Sequence, residues 1–241
     1  MEIKIYRDYD ALSNSTADEI LEAVRKNPTA TLCLASGDTP RLAYTLLAKK
    51  AIANNIDFLR CTFVALDEWM GIPPDNAGSC QFFLRHFLFD PLQIPESNVH
   101  FFDALSVAPQ EECNKMNDVI HRKGGIDLMV VGIGMNGHVG FNEPGQSFQQ
   151  YAHVVDLDET SKVVGQKYFR ETTLLSKGLT LGLKHMLEAR KVLLIASGLK
   201  KAQIIKKTVE EKISPQIPST SIRSHANGYL MLDEEAASAL I

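Results

Sequence analysis

The sequence predicts a three-layer α/β/α fold in a single domain, built on a mostly parallel sheet. Three observations predict it. Apolar runs of strand length recur along the chain, segments of helical period separate them, and the two kinds alternate instead of clustering. A chain of 241 residues with 45% hydrophobic content can bury a sizeable core, and an α/β chain of this length is commonly one domain.

Each element follows in order. Glu2–Tyr6 reads as the first strand and Asp8–Lys26 as the helix that covers it. Thr31–Ala35 is the second strand, followed by a helix over Pro40–Asn54. Thr62–Leu66 is the third, with a helix over Ser79–Phe89. A helix over Gln110–Lys123 leads into the strand Ile126–Gly132, and the strand Lys191–Ala196 leads into a helix over Lys200–Lys212. Strands alternating with helices in this way place helices on both faces of the sheet. No repeat, low-complexity tract or linker interrupts the order.

A formal net charge of −4 supplies no basic field for nucleic acid or an anionic membrane surface, so neither is an expected partner and a small molecule is. The four cysteines, Cys33, Cys61, Cys80 and Cys113, form no CxxC pair, and no signal-peptide pattern opens the chain; a reducing cytoplasm is the expected setting. The longest apolar runs fall far short of the roughly 20 residues that a membrane helix needs.

In open parallel sheets ligands bind beyond the carboxyl ends of the strands, so four post-strand segments carry the functional reading. Ser36-Gly37-Asp38-Thr39-Pro40 follows the second strand. Gly37 permits close backbone approach, Thr39 can cap, and Pro40 suits the first helical position, so the segment reads either as an ordinary capped helix or as a helix start whose N–H groups hold a phosphate. Asp67-Glu68-Trp69 closes the third strand. Strand-ending acids commonly cap the next turn, but a carboxylate there can also take a carbon-bound proton.

The third segment, from Gly132 to Gly145, contains GxGxxG, with Asp156 further on, and so mimics a dinucleotide fingerprint. That fingerprint needs a helix to open at once, and Gly140, Pro144 and Gly145 interrupt one, so the segment reads as a long loop presenting Asn136, His138 and Glu143. A histidine near a carboxylate suits proton exchange near neutral pH, although a solitary one would read as a surface residue. The fourth, Ser197-Gly198-Leu199-Lys200-Lys201-Ala202, offers a lysine that either caps a solvated helix end or reaches a phosphate as a point charge.

Together these segments resemble the glucosamine-6-phosphate deaminase and galactosamine-6-phosphate isomerase family over nearly the whole chain. The loop ending Phe141-Asn142-Glu143-Pro144-Gly145 is the most specific match. The related 6-phosphogluconolactonases share Gly-x-Gly-x-x-Gly-His but typically continue toward Ser-Leu-Phe-Pro. The resemblance implies a modified Rossmann-like sheet and a hexosamine 6-phosphate as substrate. It also implies catalysis without a metal or other cofactor, and leaves a homo-oligomer open.

By motif, Asp67 matches the family's base for the C2 proton, His138 its ring-opening acid/base, and Glu143 and Asn136 the orienting partners. Many relatives carry Asp where this chain has Asn136. Ser36, Gly37, Asp38 and Thr39 with Lys201 match the phosphate site, and Lys167 stands where an Arg is usual, which replaces a bidentate clamp with a point charge. Two other readings stay in view: a lactonase, and a sugar-phosphate sensor of the kind usually preceded by a helix-turn-helix segment, for which a first strand at Glu2 leaves no room. Asp67-Glu68-Trp69 and Gly78-Ser79-Cys80 resemble the galactosamine branch more than the glucosamine branch. Residues 67–78, rich in Pro and Gly, are a candidate lid.

Overall fold

The apolar runs lie side by side as a single parallel sheet. In the computed structural model, which describes residues 1–240, the strands in chain order are β1 (Glu2–Tyr6), β2 (Thr31–Leu34), β3 (Thr62–Val64), β4 (Asp67–Trp69), β5 (Val99–His100), β6 (Leu128–Gly132), β7 (His153–Asp156), β8 (Lys177–Thr180), β9 (Val192–Ala196) and β10 (Gly228–Asp233). Seven of them form the main sheet in the order β1-β10-β9-β6-β2-β3-β5, with every neighbouring pair parallel. The helices are α1 (Tyr9–Lys26), α2 (Asp38–Ala53), α3 (Cys80–Leu84), α4 (Pro109–Arg122), α5 (Glu159–Gly165), α6 (Leu183–Glu188), α7 (Ala202–Glu210) and α8 (Glu234–Ala237).

The period of two along each strand divides the side chains between two cores. Leu32, Leu34, Leu128, Val130, Leu193, Ile195 and Met231 face the layer formed by α1, α2 and α3, where Leu12, Ile20, Tyr44 and Leu84 meet them. The intervening Cys33, Met129, Val131, Leu194, Leu230 and Leu232 face α4, α6, α7 and α8, through Met116, Met186, Ile205 and Ala236. Buried on both sides, these strands read as unbroken apolar runs, which made them visible in the sequence.

Three strands lie outside that pattern. β4, β8 and β7 form a separate antiparallel sheet in which Asp67 pairs with Thr180 and Thr180 with His153. The lid suggested for residues 67–78 is therefore corrected at its start: Asp67–Trp69 is a paired strand with Glu68 and Trp69 buried, and only the turn-rich stretch after it is loop. A second correction concerns α2. It begins at Asp38 with Gly37 as its cap, so Thr39 sits inside the first turn and does not cap the helix. The helix expected over Ser79–Phe89 divides into α3 and a π-helical turn over Arg85–Phe89, and Ser79 caps it, its hydroxyl accepting from the Phe82 N–H at 2.9 Å. The helix expected over Lys200–Lys212 opens as a 3-10 turn at Leu199–Lys201 and ends at Glu210.

The strand order also locates the site. The chain runs outward from β2 to β3 and β5, then returns to the other side of β2 with β6. At that reversal the loops leaving β2 and β6 diverge, opening a crevice at the strand tips. No helix among the described residues is long and apolar enough to cross a membrane.

Candidate active site

The crevice holds a pocket of about 660 Å³, within the range of small-molecule sites. Asp67, His138, Ser36, Gly37, Asp38, Thr39, Lys167 and Lys201 all line it; Asn136 and Glu143 stand behind His138. Residues from β2, β4, β6, β9 and α5 are thus gathered at one end of the sheet, although up to 165 positions separate them in the chain (Ser36 to Lys201).

The loop after β6 stays free of helix through Ala152, and its geometry is set by local bonds. The Gly134 N–H donates to the His138 carbonyl at 2.9 Å, folding the loop back on itself. The imidazole lies against Gly134, where an added Cβ would come within 2.2 Å of the ring, so a larger residue there would displace the imidazole. His138 Nδ1 is 3.2 Å from Glu143 Oε2, and Asn136 Nδ2 donates to the same oxygen at 2.8 Å. The Asn136 side-chain oxygen Oδ1 accepts from the His138 main-chain N–H at 3.2 Å. Burial pushes the Glu143 carboxyl up, but bonds and charge from His138, Ser161 and Asn136 outweigh it and hold the group below its ordinary value. It is therefore ionised at neutral pH. With Nδ1 committed to this cluster, Nε2 has no partner among the described residues and is the nitrogen left for a ligand.

Asp67 enters from β4. Burial is the largest influence on its carboxyl and, with the neighbouring Glu68 charge, raises it to about 7 against a lowering bond to the Cys80 thiol. A carboxylate tuned near neutrality is suited to take and return a proton. Strand alternation turns Glu68 away from the pocket. Its carboxylate accepts the main-chain N–H groups of Trp69 at 2.9 Å, Cys80 at 3.0 Å and Gln81 at 2.9 Å, which joins β4 to the start of α3. Trp69, on the same side of β4 as Asp67, lines the pocket and packs on Phe141 at 4.4 Å and Phe169 at 6.1 Å between ring centroids.

The cationic end is built from two lysines and the start of α2. The Asp38 carboxylate is occupied by Arg41 and Lys167, both at 2.7 Å, so only its main-chain N–H is available to an anion. Burial alone would lower Lys167, but its bond and attraction to Asp38 hold the ammonium above its ordinary value. Lys201 donates to the Ile133 carbonyl, and burial, with Lys167 nearby, lowers it to about 8. Gly37, at φ 121°, lets the chain enter α2 with the first N–H groups turned toward the pocket.

Two residues escaped the sequence reading. The Ser161 hydroxyl is 3.0 Å from His138 Nδ1, and the Asp158 main-chain N–H donates to Glu143 Oε1 at 3.3 Å. Neither carries a local motif; the available signal was Asp158 as the cap of α5. Among the described residues, no three His, Cys, Asp or Glu side chains cluster as a metal site.

Comparison with known proteins adds lineage to this geometry. The family described as glucosamine-6-phosphate isomerases/6-phosphogluconolactonase is matched over residues 8–231. A glucosamine-6-phosphate deaminase of Thermoanaerobacter pseudethanolicus is 34% identical over 100% of this chain and 95% of its own. One from Clostridium perfringens is 34% identical over the whole of both chains. A solved monomeric glucosamine-6-phosphate deaminase superposes with a TM-score of 0.96 at 31% identity, covering 99% of this chain and 100% of its own. The 6-phosphogluconolactonase of Trypanosoma brucei, at a TM-score of 0.82 and 19% identity over 100% of this chain and 98% of its own, shares the fold. With its length matched by these deaminases and its loop carrying Phe141-Asn142-Glu143-Pro144-Gly145, the chain belongs to the glucosamine-6-phosphate isomerase/6-phosphogluconolactonase family, on its glucosamine-6-phosphate deaminase side.

Proposed function

We propose that this protein is an amino-sugar 6-phosphate deaminase that converts a hexosamine 6-phosphate and water into a ketohexose 6-phosphate and ammonia. The observation that carries the reading is the combination in one pocket of Asp67, raised to about 7, with His138 held by Glu143 and Asn136, beside the helix start and lysines of an anion site.

Phosphate sits on the first N–H groups of α2 with Lys201 and Lys167, which fixes the sugar relative to both proton-transfer groups. His138 Nε2 takes the anomeric hydroxyl proton and delivers one to the ring oxygen, giving the open-chain aldehyde. Asp67 then removes the C2 proton, which the aldehyde carbonyl has acidified, while the carbonyl oxygen takes a proton, giving an enolamine. Return of the proton from Asp67 to C1 converts the enolamine into a ketimine. Water adds to the ketimine carbon, the nitrogen leaves as ammonia, and the ketose remains. Asn136 and Glu143 hold the imidazole and its charge through the cycle.

Between epimers, we assign first preference to galactosamine 6-phosphate, giving tagatose 6-phosphate, with glucosamine 6-phosphate giving fructose 6-phosphate second. Trp69 and the Gly78–Cys80 wall line the pocket, and they are where the chain differs from the glucosamine pattern. A pocket that hydrogen-bonds one C4 orientation leaves a polar group unpaired with the other, at about 1–3 kcal/mol, or one to two decades in kcat/KM. Ammonia release from both sugars at limiting concentration tests this. A tenfold preference for glucosamine 6-phosphate overturns the order, and no ammonia from either overturns the function.

A further inference from the structure

We propose that the hydroxyl of Tyr168 is a phosphate-binding group of the pocket, a neutral and directional donor set beside the two lysines of its cationic end. The proposal rests on the start of α2 being where the phosphate of the sugar sits.

Tyr168 closes a 3-10 turn, Gln166–Tyr168, that follows α5. The turn is fixed on both sides. Before it, the Gln166 side-chain N–H donates to the Thr173 carbonyl at 2.8 Å, and the Gln166 side-chain oxygen accepts the Thr173 N–H at 3.0 Å. After it, Phe169 lies on Gly78, where an added Cβ would come within 2.4 Å of the ring, and meets Trp69 at 6.1 Å between centroids. Held between these anchors, the half-buried Tyr168 packs on the apolar cluster that contains Trp69, Phe141 and Leu175, and it lines the pocket. Its hydroxyl ends at Gly37: a Cβ added to that glycine would stand 3.4 Å from the phenolic oxygen. Gly37 is the cap of α2, directly before the N–H groups that have no partner within the helix. An anion seated on those groups has the Tyr168 hydroxyl beside it.

The proton of that hydroxyl is free to be given. Its charged neighbours are Lys167, whose ammonium lies 4.8 Å from the ring centroid, and Asp38. An ammonium only donates, so Lys167 cannot accept the phenolic proton. The Asp38 oxygens are already engaged, one by Arg41 and the other by Lys167, each at 2.7 Å. Burial, the largest influence, raises the Tyr168 hydroxyl above its ordinary value, so it remains a donor throughout the neutral range. The lysines, in contrast, are partly committed, Lys167 to Asp38 and Lys201 to the Ile133 carbonyl. A phosphate oxygen at the start of α2 supplies the acceptor that Tyr168 lacks.

Tyr168→Phe removes the hydroxyl and keeps the ring, its packing and its place beside Lys167. Inorganic phosphate is the probe, titrated by calorimetry into wild type and variant without substrate. Its Kd should rise about tenfold in the variant, the order expected for losing one hydrogen bond to a charged partner. With hexosamine 6-phosphate, KM should rise by about the same factor while kcat holds, because the contact is equal in ground state and transition state. The loss should persist when Lys167→Ala is the background. Equal phosphate Kd values in wild type and Tyr168→Phe overturn the proposal, as does a fall in kcat with KM unchanged, which would put the hydroxyl at the reacting carbons. No further loss in the Lys167→Ala background also overturns it, because the hydroxyl would then act only by holding the lysine. A wild type that binds no inorganic phosphate overturns both this proposal and the anion site beneath it. A wild type that binds phosphate in the expected way but releases no ammonia from either amino sugar overturns the deaminase reading alone.

Discussion

Lys167 Nζ stands 2.7 Å from Asp38 Oδ2, so two residues drawn to the phosphate end of the pocket by separate motifs are bonded to each other. A phosphate arriving at the start of α2 competes with Asp38 for this lysine. Replacing Asp38 with Asn should therefore lower KM several-fold, because it frees Lys167 and removes an anion beside the phosphate. Lys167→Ala should raise KM about tenfold with little change in kcat, as expected when uniform binding is lost. Steady-state kinetics of both variants decide it. A higher KM in Asp38→Asn would show that the pair holds the site open and does not compete with it.

The activity profile should follow the two tuned groups. Asp67, raised to about 7, must be ionised to act as a base, so kcat/KM should climb as pH rises through that value. Lys201, lowered to about 8, must be protonated to hold phosphate, so KM should climb as pH passes it. Asp67→Asn should retain phosphate binding and lose roughly 10³-fold or more in turnover. Flat kinetics between pH 6 and 9, a range that reaches about 1 unit beyond each group, would contradict both assignments.

Glu68 should matter for stability through its three main-chain bonds. Glu68→Ala leaves those N–H groups unpaired in a site where the side chain is 4% exposed. The expected loss is about 3 kcal/mol or more, a fall in Tm on the order of 6–12 °C for a chain of this size. A melt within about 2 °C of the wild type would show that water or neighbouring groups replace the carboxylate.

Acid should destabilise the fold through His153 and His185. His153 Nε2 and His185 Nδ1 are buried without partners, and burial lowers both rings, His185 to about 4. A base held low in the fold takes its proton more readily when unfolded. The stabilising contribution is thus complete above about pH 6.5 and is lost as pH falls toward the folded value. For His185 the difference from its ordinary 6.5 corresponds to about 3 kcal/mol. Thermal melts from pH 7 to 4 should fall less steeply in His185→Phe than in the wild type; parallel curves would assign the acid sensitivity elsewhere.

What the sequence disclosed followed from how each element is buried. β2, β6 and β9 are covered on both faces and show as apolar runs. β4, reading Asp-Glu-Trp, and β8, reading Lys-Gly-Leu-Thr, are short and mixed, so their pairing depends on tertiary neighbours that no local pattern records. In β10 the aliphatic run is confined to Leu230–Leu232, too short for its pattern alone to mark a strand. In the site, Asn136, His138 and Glu143 share one loop and were legible together. Ser161 was not, because it meets His138 only when α5 folds back over the loop after β6, 23 residues away in the chain.

The most direct test of the account is the stoichiometry of one reaction. Wild-type protein mixed with galactosamine 6-phosphate, and separately with glucosamine 6-phosphate, should release ammonia and ketohexose 6-phosphate in equal amounts, with Asp67→Asn yielding neither. Hydrolysis of 6-phosphogluconolactone without ammonia from either amino sugar would contradict it.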